Sequence, residues 1–398
     1  MKILERAYNI EDLRAMARKR LPKGLFEFID RGSEDEKALK ENRAAFDRIV
    51  FYPQVLKDVS QRSLGIELFG KSAKFPIAVA PTGAVGLLWF DGEVAAARAA
   101  ASAGVPYTLS TASIVSLEEV ADRAGGDLWF QLYAWPQLSL SEQIINRARN
   151  AGYRVLVVTA DSSVTSNREH NQRNAFTVPI RLNRRNIWDV LRHPAWVYSV
   201  MFQHLWRRGI PEFANLPAEF RMDLRGKGNS KMMPRNMPIS RDVILRMRKL
   251  WQGPLVIKGI LSVEDAELAA DCGVDGIIVS NHGGRNLDGA MAPIEALPFI
   301  ADAVGHKLTV LMDSGVRRGS DVVKALALGA QAVMVGRAPL WGTAVAGEPG
   351  AAHALSILCT EFDRVMAQLG CPTIGELDRT CLRSRSCGLQ YLSSYRRP

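Results

Sequence analysis

The chain has 398 residues, of which 47% are hydrophobic, enough to bury a large core. It contains no run of about eighteen apolar residues and no N-terminal apolar segment before a cleavage-like site, so we expect neither a membrane-spanning nor an exported protein. The cysteines are odd in number and lack metal-ligand spacing, which predicts reduced thiols and no metal site at Cys272, Cys359, Cys371, Cys381 and Cys387.

The net charge of +10 is unevenly distributed. Residues 176–250 carry 15 lysines and arginines against 5 acidic residues, and the tail from Arg379 adds five arginines and no acid. The rest of the chain is therefore mildly acidic. A uniformly basic surface would favour nucleic acid, whereas one basic segment on an acidic body favours a local surface contact.

The segment up to about residue 50 is predicted to be helical. Residues 11–21, EDLRAMARKRL, have the spacing of an amphipathic helix. Residues 33–46, SEDEKALKENRAAF, predict a helix capped by Ser33 with an acidic first turn.

Eight apolar runs follow, each ending in polar residues or glycine. Most are separated by alanine-rich stretches such as GEVAAARAAASAG, which have helical composition. The pattern predicts an α/β fold, a (β/α)8 TIM barrel with N-terminal helices, formed by residues 1–398 as a single domain. The runs are 76–83, 107–111, 128–133, 155–161, 255–259, 276–284, 308–315 and 332–338.

A long basic and aromatic insert, residues 176–238, separates the fourth and fifth predicted strands. It contains three tryptophans, Trp188, Trp196 and Trp206, together with the pair Arg207 and Arg208. Aromatic residues interleaved with arginines are typical of a segment that contacts a membrane surface. The alternatives are an active-site lid whose aromatics pack on the barrel, or a protein-binding segment. No RNA- or DNA-binding motif accompanies the insert, so we expect no nucleic acid partner.

Polar residues follow the predicted strands where barrel enzymes place their chemistry. In GIIVSNHGGRNLD, His282 and Arg285 lie on either side of a Gly-Gly turn, so both can face one small molecule. The segments DSGVRRGSD and VGRA put glycine and arginine after the seventh and eighth strands, as in a phosphate site. No GxGxxG follows an early strand, which disfavours a dinucleotide.

The segment SNHGGRNLD, residues 280–288, resembles the signature of the FMN-dependent 2-hydroxy acid oxidases and dehydrogenases. The similarity extends from LPKGLFEF near residue 21 to GCPTIGEL near residue 375. The family includes enzymes that act on glycolate, lactate and mandelate. The segments SQRSL, DLWFQLY and DSGVRRGSD are most similar to the members that oxidise mandelate.

The resemblance implies FMN as the cofactor. Arg317, Gly336 and Arg337 would hold its phosphate, and Asp313 its ribityl hydroxyls. Lys258 would stabilise negative charge near N1 of the ring. The other implied FMN contacts are Pro81, Thr82, Gly83, Ser110, Gln131, Thr159, Ser280 and Gly315.

The resemblance also assigns the substrate site. His282 would be the base that removes a proton, either from the carbon or from the hydroxyl as hydride leaves, and Asp161 would pair with it. Arg285 and Arg168 would bind the substrate carboxylate. Tyr133 would orient the substrate oxygen.

Two positions bear on the substrate and the electron acceptor. The tyrosine that usually helps to bind the carboxylate is Phe28 here, which favours an aromatic or bulky substrate. Many oxidases of the family have alanine where this chain has Gly83, which favours a dehydrogenase.

We therefore predict oxidation of an aromatic or bulky (S)-2-hydroxy acid to the 2-oxo acid, with a membrane quinone as acceptor. The expected location is cytoplasmic, peripheral on the inner face of the cell membrane, and the expected assembly is a homotetramer. The alternatives are an L-lactate dehydrogenase, an oxygen-using oxidase, and a flavin enzyme acting on another carbon acid in a tailoring pathway.

Overall fold

A closed barrel of eight parallel strands forms the centre of the computed structural model. Each strand is a short apolar run buried on both faces, as expected for a parallel sheet covered by helices. Neighbouring strands in the chain pair throughout, and β8 pairs with β1 to close the sheet. The predicted (β/α)8 barrel is therefore confirmed. The strands are β1 (Ile77–Val79), β2 (Tyr107–Ser110), β3 (Leu128–Leu132), β4 (Val155–Thr159), β5 (Leu255–Ile260), β6 (Gly276–Val279), β7 (Thr309–Met312) and β8 (Ala332–Val335).

The structure describes residues 3–176, 183–217, 220–221, 223, 225 and 236–385. Cys387, the last residues of the basic tail and parts of the insert lie outside these ranges. The four cysteines within them are buried and free.

Helices surround the barrel and precede it. The last of them bends at Ala346 and Gly347. They are α1 (Ile10–Arg20), α2 (Lys23–Asp30), α3 (Lys37–Asp47), α4 (Gly92–Ala103), α5 (Leu117–Ala124), α6 (Leu138–Asn150), α7 (Glu169–Arg173), α8 (Arg184–Leu191), α9 (residues 194–207), α10 (Arg241–Leu250), α11 (Val263–Asp271), α12 (Pro293–Val304), α13 (Gly319–Ala327) and α14 (Arg337–Leu369).

A β-hairpin closes the N-terminal end of the barrel. Its strands, Ile66–Leu68 and Lys71–Ala73, are antiparallel, and Phe69 at the turn packs against Trp129 with ring centroids 5.5 Å apart. Trp129 is fully buried inside the barrel. Because this end is filled by side chains, a ligand can enter only at the opposite, C-terminal mouth. Two further short strands, Ile49–Phe51 and Leu382–Ser384, pair outside the barrel.

The predicted start of α3 is wrong. The helix begins at Lys37, after Glu36 in the left-handed region (φ 62°), and no side chain at that position caps it. Ser33 instead donates its backbone N–H to the carbonyl of Gly284, 3.0 Å away. The cap comes from Asp288, whose carboxylate accepts the N–H of Ala38 at 2.8 Å from 250 residues further along the chain.

Most of the predicted strands extend too far at their C-terminal ends. β6 stops at Val279 and β7 at Met312, because the residues that follow leave the extended conformation. His282 has φ 59° and Ser314 has φ 79°, values that an extended strand excludes. The polar residues expected at strand ends therefore lie on turns over the barrel mouth.

The insert contains a helix that packs one face on the barrel. This helix, α9, includes a π-helical stretch over Val197–Phe202. Trp196 donates its indole N–H to the carbonyl of Leu87 at 2.8 Å, and His204 Nε2 contacts the carbonyl of Gly86 at 2.9 Å. These contacts attach the insert to the loop after β1. Within the described residues, no helix combines the length and apolar character needed to cross a membrane.

Candidate functional site

A cavity at the C-terminal mouth of the barrel collects most of the predicted site residues. Its empty space is about 1120 Å³, counting the part that opens to solvent. Three predicted residues do not line it but lie directly behind lining residues: Gln131, Asp161 and Ser280. The predicted residues that line it are Phe28, Pro81, Thr82, Gly83, Ser110, Tyr133, Thr159, Arg168, Lys258, His282, Arg285, Asp313, Gly315, Arg317, Gly336 and Arg337.

His282 and Asp161 form a hydrogen-bonded pair at the cavity wall. His282 Nδ1 lies 3.0 Å from Asp161 Oδ1, which assigns the Nδ1 proton to this contact and leaves Nε2 as the nitrogen available to a ligand. Burial alone would raise the pKa of Asp161, but the charge of His282 and its hydrogen bond outweigh burial and lower the pKa. Asp161 is therefore anionic at neutral pH, and it stabilises a protonated imidazole beside it.

Sequence reasoning missed two residues that hold this pair in place. Ser162 donates its hydroxyl to Asp161 Oδ1 at 3.2 Å. Asn286 donates its amide to the backbone carbonyl of Asp161 at 2.7 Å and to Ser162 Oγ at 3.2 Å. Asn286 lies in the signature segment, but its partners are more than 120 residues away in sequence, so no local pattern indicated the contact.

Lys258 is a buried cation at the end of β5. Its Nζ lies 2.7 Å from Asp313 Oδ2 and donates to Ser280 Oγ at 2.7 Å. Burial alone would lower the pKa of Lys258, but the charges of Asp313 and Asp161 outweigh burial and raise the pKa. The ammonium group is therefore protonated at neutral pH, in a part of the barrel from which water is largely excluded.

A row of polar side chains crosses three adjacent strands. Gln131 on β3 accepts the hydroxyl of Ser110 on β2 at 3.0 Å and donates its amide to Thr159 on β4 at 2.9 Å. Ser110 and Gln131 are partners in the strand register. Such a row suits the polar edge of a flat heterocycle, which is the contact expected for the isoalloxazine ring.

The two predicted carboxylate-binding arginines contact each other in the same cavity. Arg168 Nε donates to the backbone carbonyl of Arg285 at 3.1 Å, and the Arg285 guanidinium lies 5.5 Å from the ring of Phe28. Burial, with the nearby charges of Arg168 and Arg337, lowers the pKa of Arg285 well below its usual value. Positive charge is thus in excess here, and an anionic ligand would relieve it.

Two more buried arginines lie at the ends of β7 and β8. Burial and neighbouring arginines lower the pKa of Arg317 to about 9 and that of Arg337 to about 10, so both are protonated at pH 7. Arg317 stacks over Trp341 at 4.7 Å and reaches the carboxylate of Glu11 only at 3.9 Å. Buried guanidinium groups with so little compensating charge fit the phosphate of FMN.

The chain is similar to known proteins over most of its length. A model of the FMN-dependent dehydrogenase family matches residues 17–384. The (S)-mandelate dehydrogenase of Pseudomonas putida is 41% identical over 379 residues, covering 95% of this chain and 94% of that protein. An L-lactate dehydrogenase of Caulobacter sp. (strain K31) is 40% identical over 375 residues, covering 93% of this chain and 97% of that protein.

Solved structures are similar to this chain over almost its whole length. The crystal structure of the monotopic membrane protein (S)-mandelate dehydrogenase superimposes with a TM-score of 0.87 at 40% identity, covering 95% of this chain and 100% of that chain. A structure of mandelate oxidase with (S)-2-phenylpropionate superimposes with a TM-score of 0.79 at 37% identity, covering 95% of this chain and 98% of that chain.

Replacing Arg317 by methionine should reduce the preference of the apoprotein for FMN over riboflavin, which lacks the phosphate. A charge-assisted hydrogen bond contributes about 1.5–3 kcal/mol, so FMN affinity should fall about tenfold or more while riboflavin affinity stays the same. Quenching of flavin fluorescence measures both. Arg318→Met is the matched control, because Arg318 is exposed and pairs with Glu361. An unchanged FMN-to-riboflavin ratio in Arg317→Met would exclude Arg317 from the phosphate site.

Proposed function

Because this chain belongs to the FMN-dependent dehydrogenase family, we propose that it oxidises an (S)-2-hydroxy acid with an aromatic or bulky side chain, such as mandelate, to the 2-oxo acid. We propose a membrane quinone as the electron acceptor. The predictions of an FMN cofactor and of a dehydrogenase of the 2-hydroxy acid family are confirmed by the family match and the relatives. The residues of the cavity support the proposed substrate and the proposed roles of single residues.

The observation that carries the proposal is the His282–Asp161 pair beside two arginines in one cavity. Arg285 and Arg168 bind the substrate carboxylate, which places the hydroxyl-bearing carbon near His282. His282 Nε2 then takes a proton, from the carbon or from the hydroxyl, and anionic Asp161 stabilises the imidazolium that forms.

Tyr133 and Lys258 complete the site. Burial and the charge of Asp161 raise the pKa of Tyr133, so its hydroxyl stays protonated and can donate to the substrate oxygen. FMN supplies the two-electron acceptor for the substrate. Lys258, held by Asp313 and Ser280, would supply a fixed positive charge that stabilises negative charge on the bound flavin.

Phe28 is the basis for the proposed substrate class. Its ring packs 5.4 Å from Phe176 and 5.5 Å from the Arg285 guanidinium, so an apolar aromatic surface adjoins the carboxylate site. A phenyl group gains more from this surface than a methyl group does. Because an L-lactate dehydrogenase is among the relatives, lactate is the alternative substrate. The structural likeness to mandelate oxidase keeps oxygen as the alternative acceptor.

Phe28→Tyr should reduce the preference for (S)-mandelate over (S)-lactate about tenfold. Lactate gains a hydrogen bond from the new hydroxyl to its carboxylate, worth about 1.5–3 kcal/mol. For mandelate the gain is offset, because the phenyl group must then pack against a polar hydroxyl. The ratio of kcat/KM for (S)-mandelate to kcat/KM for (S)-lactate tests the substrate. The rates of the wild type with a quinone analogue and with oxygen test the acceptor. Phe75→Tyr, outside the cavity lining, is the control. An unchanged ratio in Phe28→Tyr contradicts the assignment.

The outer face of α9 supports membrane contact. Tyr198, Phe202 and Trp206 are spaced by four residues and stack in a row, with ring centroids 5.6 and 6.2 Å apart. The side chains on this face are exposed, Trp206 by 78%. The opposite face, with Trp196 and His204, packs on the barrel.

A lid whose aromatics all pack on the barrel would bury this row as well. The exposed aromatic row instead has the character of an interfacial segment, and the exposed Arg184, Arg185 and Arg192 lie in the same insert, where they can attract anionic lipid. We propose peripheral binding to the inner face of the cell membrane, where a quinone is within reach. The homotetramer stays a prediction.

Phe202→Ser combined with Trp206→Ser should reduce binding of the holoenzyme to phosphatidylglycerol-containing vesicles about tenfold or more. Burying a large apolar side chain contributes about 1.5–3 kcal/mol. Val55→Ser with Leu56→Ser is the matched control, because both residues are exposed and apolar but outside the insert. Cosedimentation measures the bound fraction. Equal binding by the two double variants would contradict membrane contact through α9.

A further inference from the structure

Asp288, the last residue of the signature segment, caps a helix that is distant in sequence. Its Oδ1 accepts the N–H of Ala38 at 2.8 Å and its Oδ2 accepts the N–H of Asp35 at 3.1 Å. Burial alone would raise the pKa of Asp288, but the backbone amides around the carboxylate outweigh burial and lower the pKa. Asp288 therefore supplies the N-terminal cap that α3 lacks from its own sequence.

The turn immediately before α3 presents a backbone carbonyl to the site. The carbonyl oxygen of Arg31 accepts Arg285 Nη1 at 3.0 Å and Arg337 Nη2 at 3.2 Å. Glu36 stabilises this turn through two hydrogen bonds. Its Oε1 accepts the backbone N–H of Gly32 at 2.9 Å and the side-chain Nε–H of Arg31 at 3.0 Å. The Arg31 carbonyl thus binds one guanidinium predicted to contact the substrate carboxylate and one predicted to contact the FMN phosphate.

The same turn lies directly on the signature loop. A Cβ on Gly32 would come within 2.6 Å of the Gly284 carbonyl, and a Cβ on Gly284, which has φ 70°, within 2.5 Å of the Leu39 nitrogen. The turn, the start of α3 and the loop are therefore closely packed together. A change in the position of α3 disturbs the turn and the loop that carries Arg285 together, and with them the contact between the Arg31 carbonyl and the Arg285 guanidinium.

We propose that Asp288 is a positioning residue for substrate binding: by capping α3 it fixes the turn at residues 31–36, whose Arg31 carbonyl orients the Arg285 guanidinium toward the substrate carboxylate. The inference rests on the proposed function in one respect, the role of Arg285 as a carboxylate ligand. It adds a residue that touches neither substrate nor cofactor.

The expected signature is a selective loss of carboxylate binding. Without the cap, Arg285 keeps its charge but loses a fixed orientation, and a bidentate contact with a carboxylate depends on orientation. Ligands that lack a carboxylate do not use this contact. The loss should therefore appear in KM and in the affinity for carboxylates, with kcat changed less than about threefold.

The test measures binding of phenylacetate and of phenylacetamide to the holoenzyme by calorimetry. In Asp288→Ala, phenylacetate should bind about tenfold more weakly, because its charge-assisted contact with Arg285 loses its fixed geometry. Phenylacetamide should change less than about twofold, and FMN content should be unchanged, because Arg337 is also held by the backbone carbonyls of Ile29 and Gly283. Asp378→Ala is the matched control, because Asp378 caps the short helix Arg379–Cys381 by accepting the N–H of Thr380 at 2.8 Å, outside the cavity lining. This control should leave both affinities unchanged.

Equal affinities of wild type and Asp288→Ala for phenylacetate would overturn the proposal, and so would an equal loss for both ligands. If Asp288→Ala fails to retain FMN, Asp288→Asn takes its place, since it keeps one acceptor oxygen and should show a smaller loss confined to phenylacetate. Phenylacetate is not oxidised, so this result is independent of turnover. A wild-type protein that binds phenylacetate but oxidises no 2-hydroxy acid would contradict the proposed function alone.

Discussion

Buried positive charge is the constraint on which the site depends. Arg285 and Arg337 share the carbonyl oxygen of Arg31, and Arg168 donates to the carbonyl of Arg285. Because fixed dipoles rather than carboxylates hold these groups, their charge is solvated but not cancelled. An anion that enters the cavity therefore finds guanidinium groups already oriented toward it, and little energy is needed to reorganise the site.

His282 and Lys258 differ from the arginines because each of them faces a carboxylate. This difference distinguishes the groups that bind an anion from those that transfer a proton or stabilise charge. His282 faces Asp161 at 3.0 Å and Lys258 faces Asp313 at 2.7 Å. A carboxylate beside an imidazole stabilises the imidazolium that forms when the ring takes a proton, whereas a guanidinium held only by backbone carbonyls attracts a carboxylate or a phosphate. The arrangement thus assigns the arginines to anchoring of substrate and cofactor, and the His282–Asp161 and Lys258–Asp313 pairs to the chemistry between them.

The sequence predicted the barrel and most of the cavity because buried parallel strands are apolar runs that end in polar residues, as at Val279 and Ser280. It failed where the partner is distant in the chain. Serine commonly caps helices, so Ser33 was the predicted cap of α3. Asp288 caps the helix instead, and no local pattern reveals a contact across 250 residues. The two faces of α9 were missed for another reason: composition counts aromatic residues but not the four-residue spacing that puts Tyr198, Phe202 and Trp206 on one exposed face, away from buried His204.

The most direct test of the account compares wild type with His282→Gln in a single turnover without oxygen. The FMN-loaded proteins are mixed with (S)-mandelate, and the loss of oxidised flavin absorbance is followed. Removing a general base costs about 10²–10⁴-fold in rate, so His282→Gln should bleach at least about 100-fold more slowly while retaining FMN. Bleaching of both proteins at similar rates would contradict the assignment of His282 as the base.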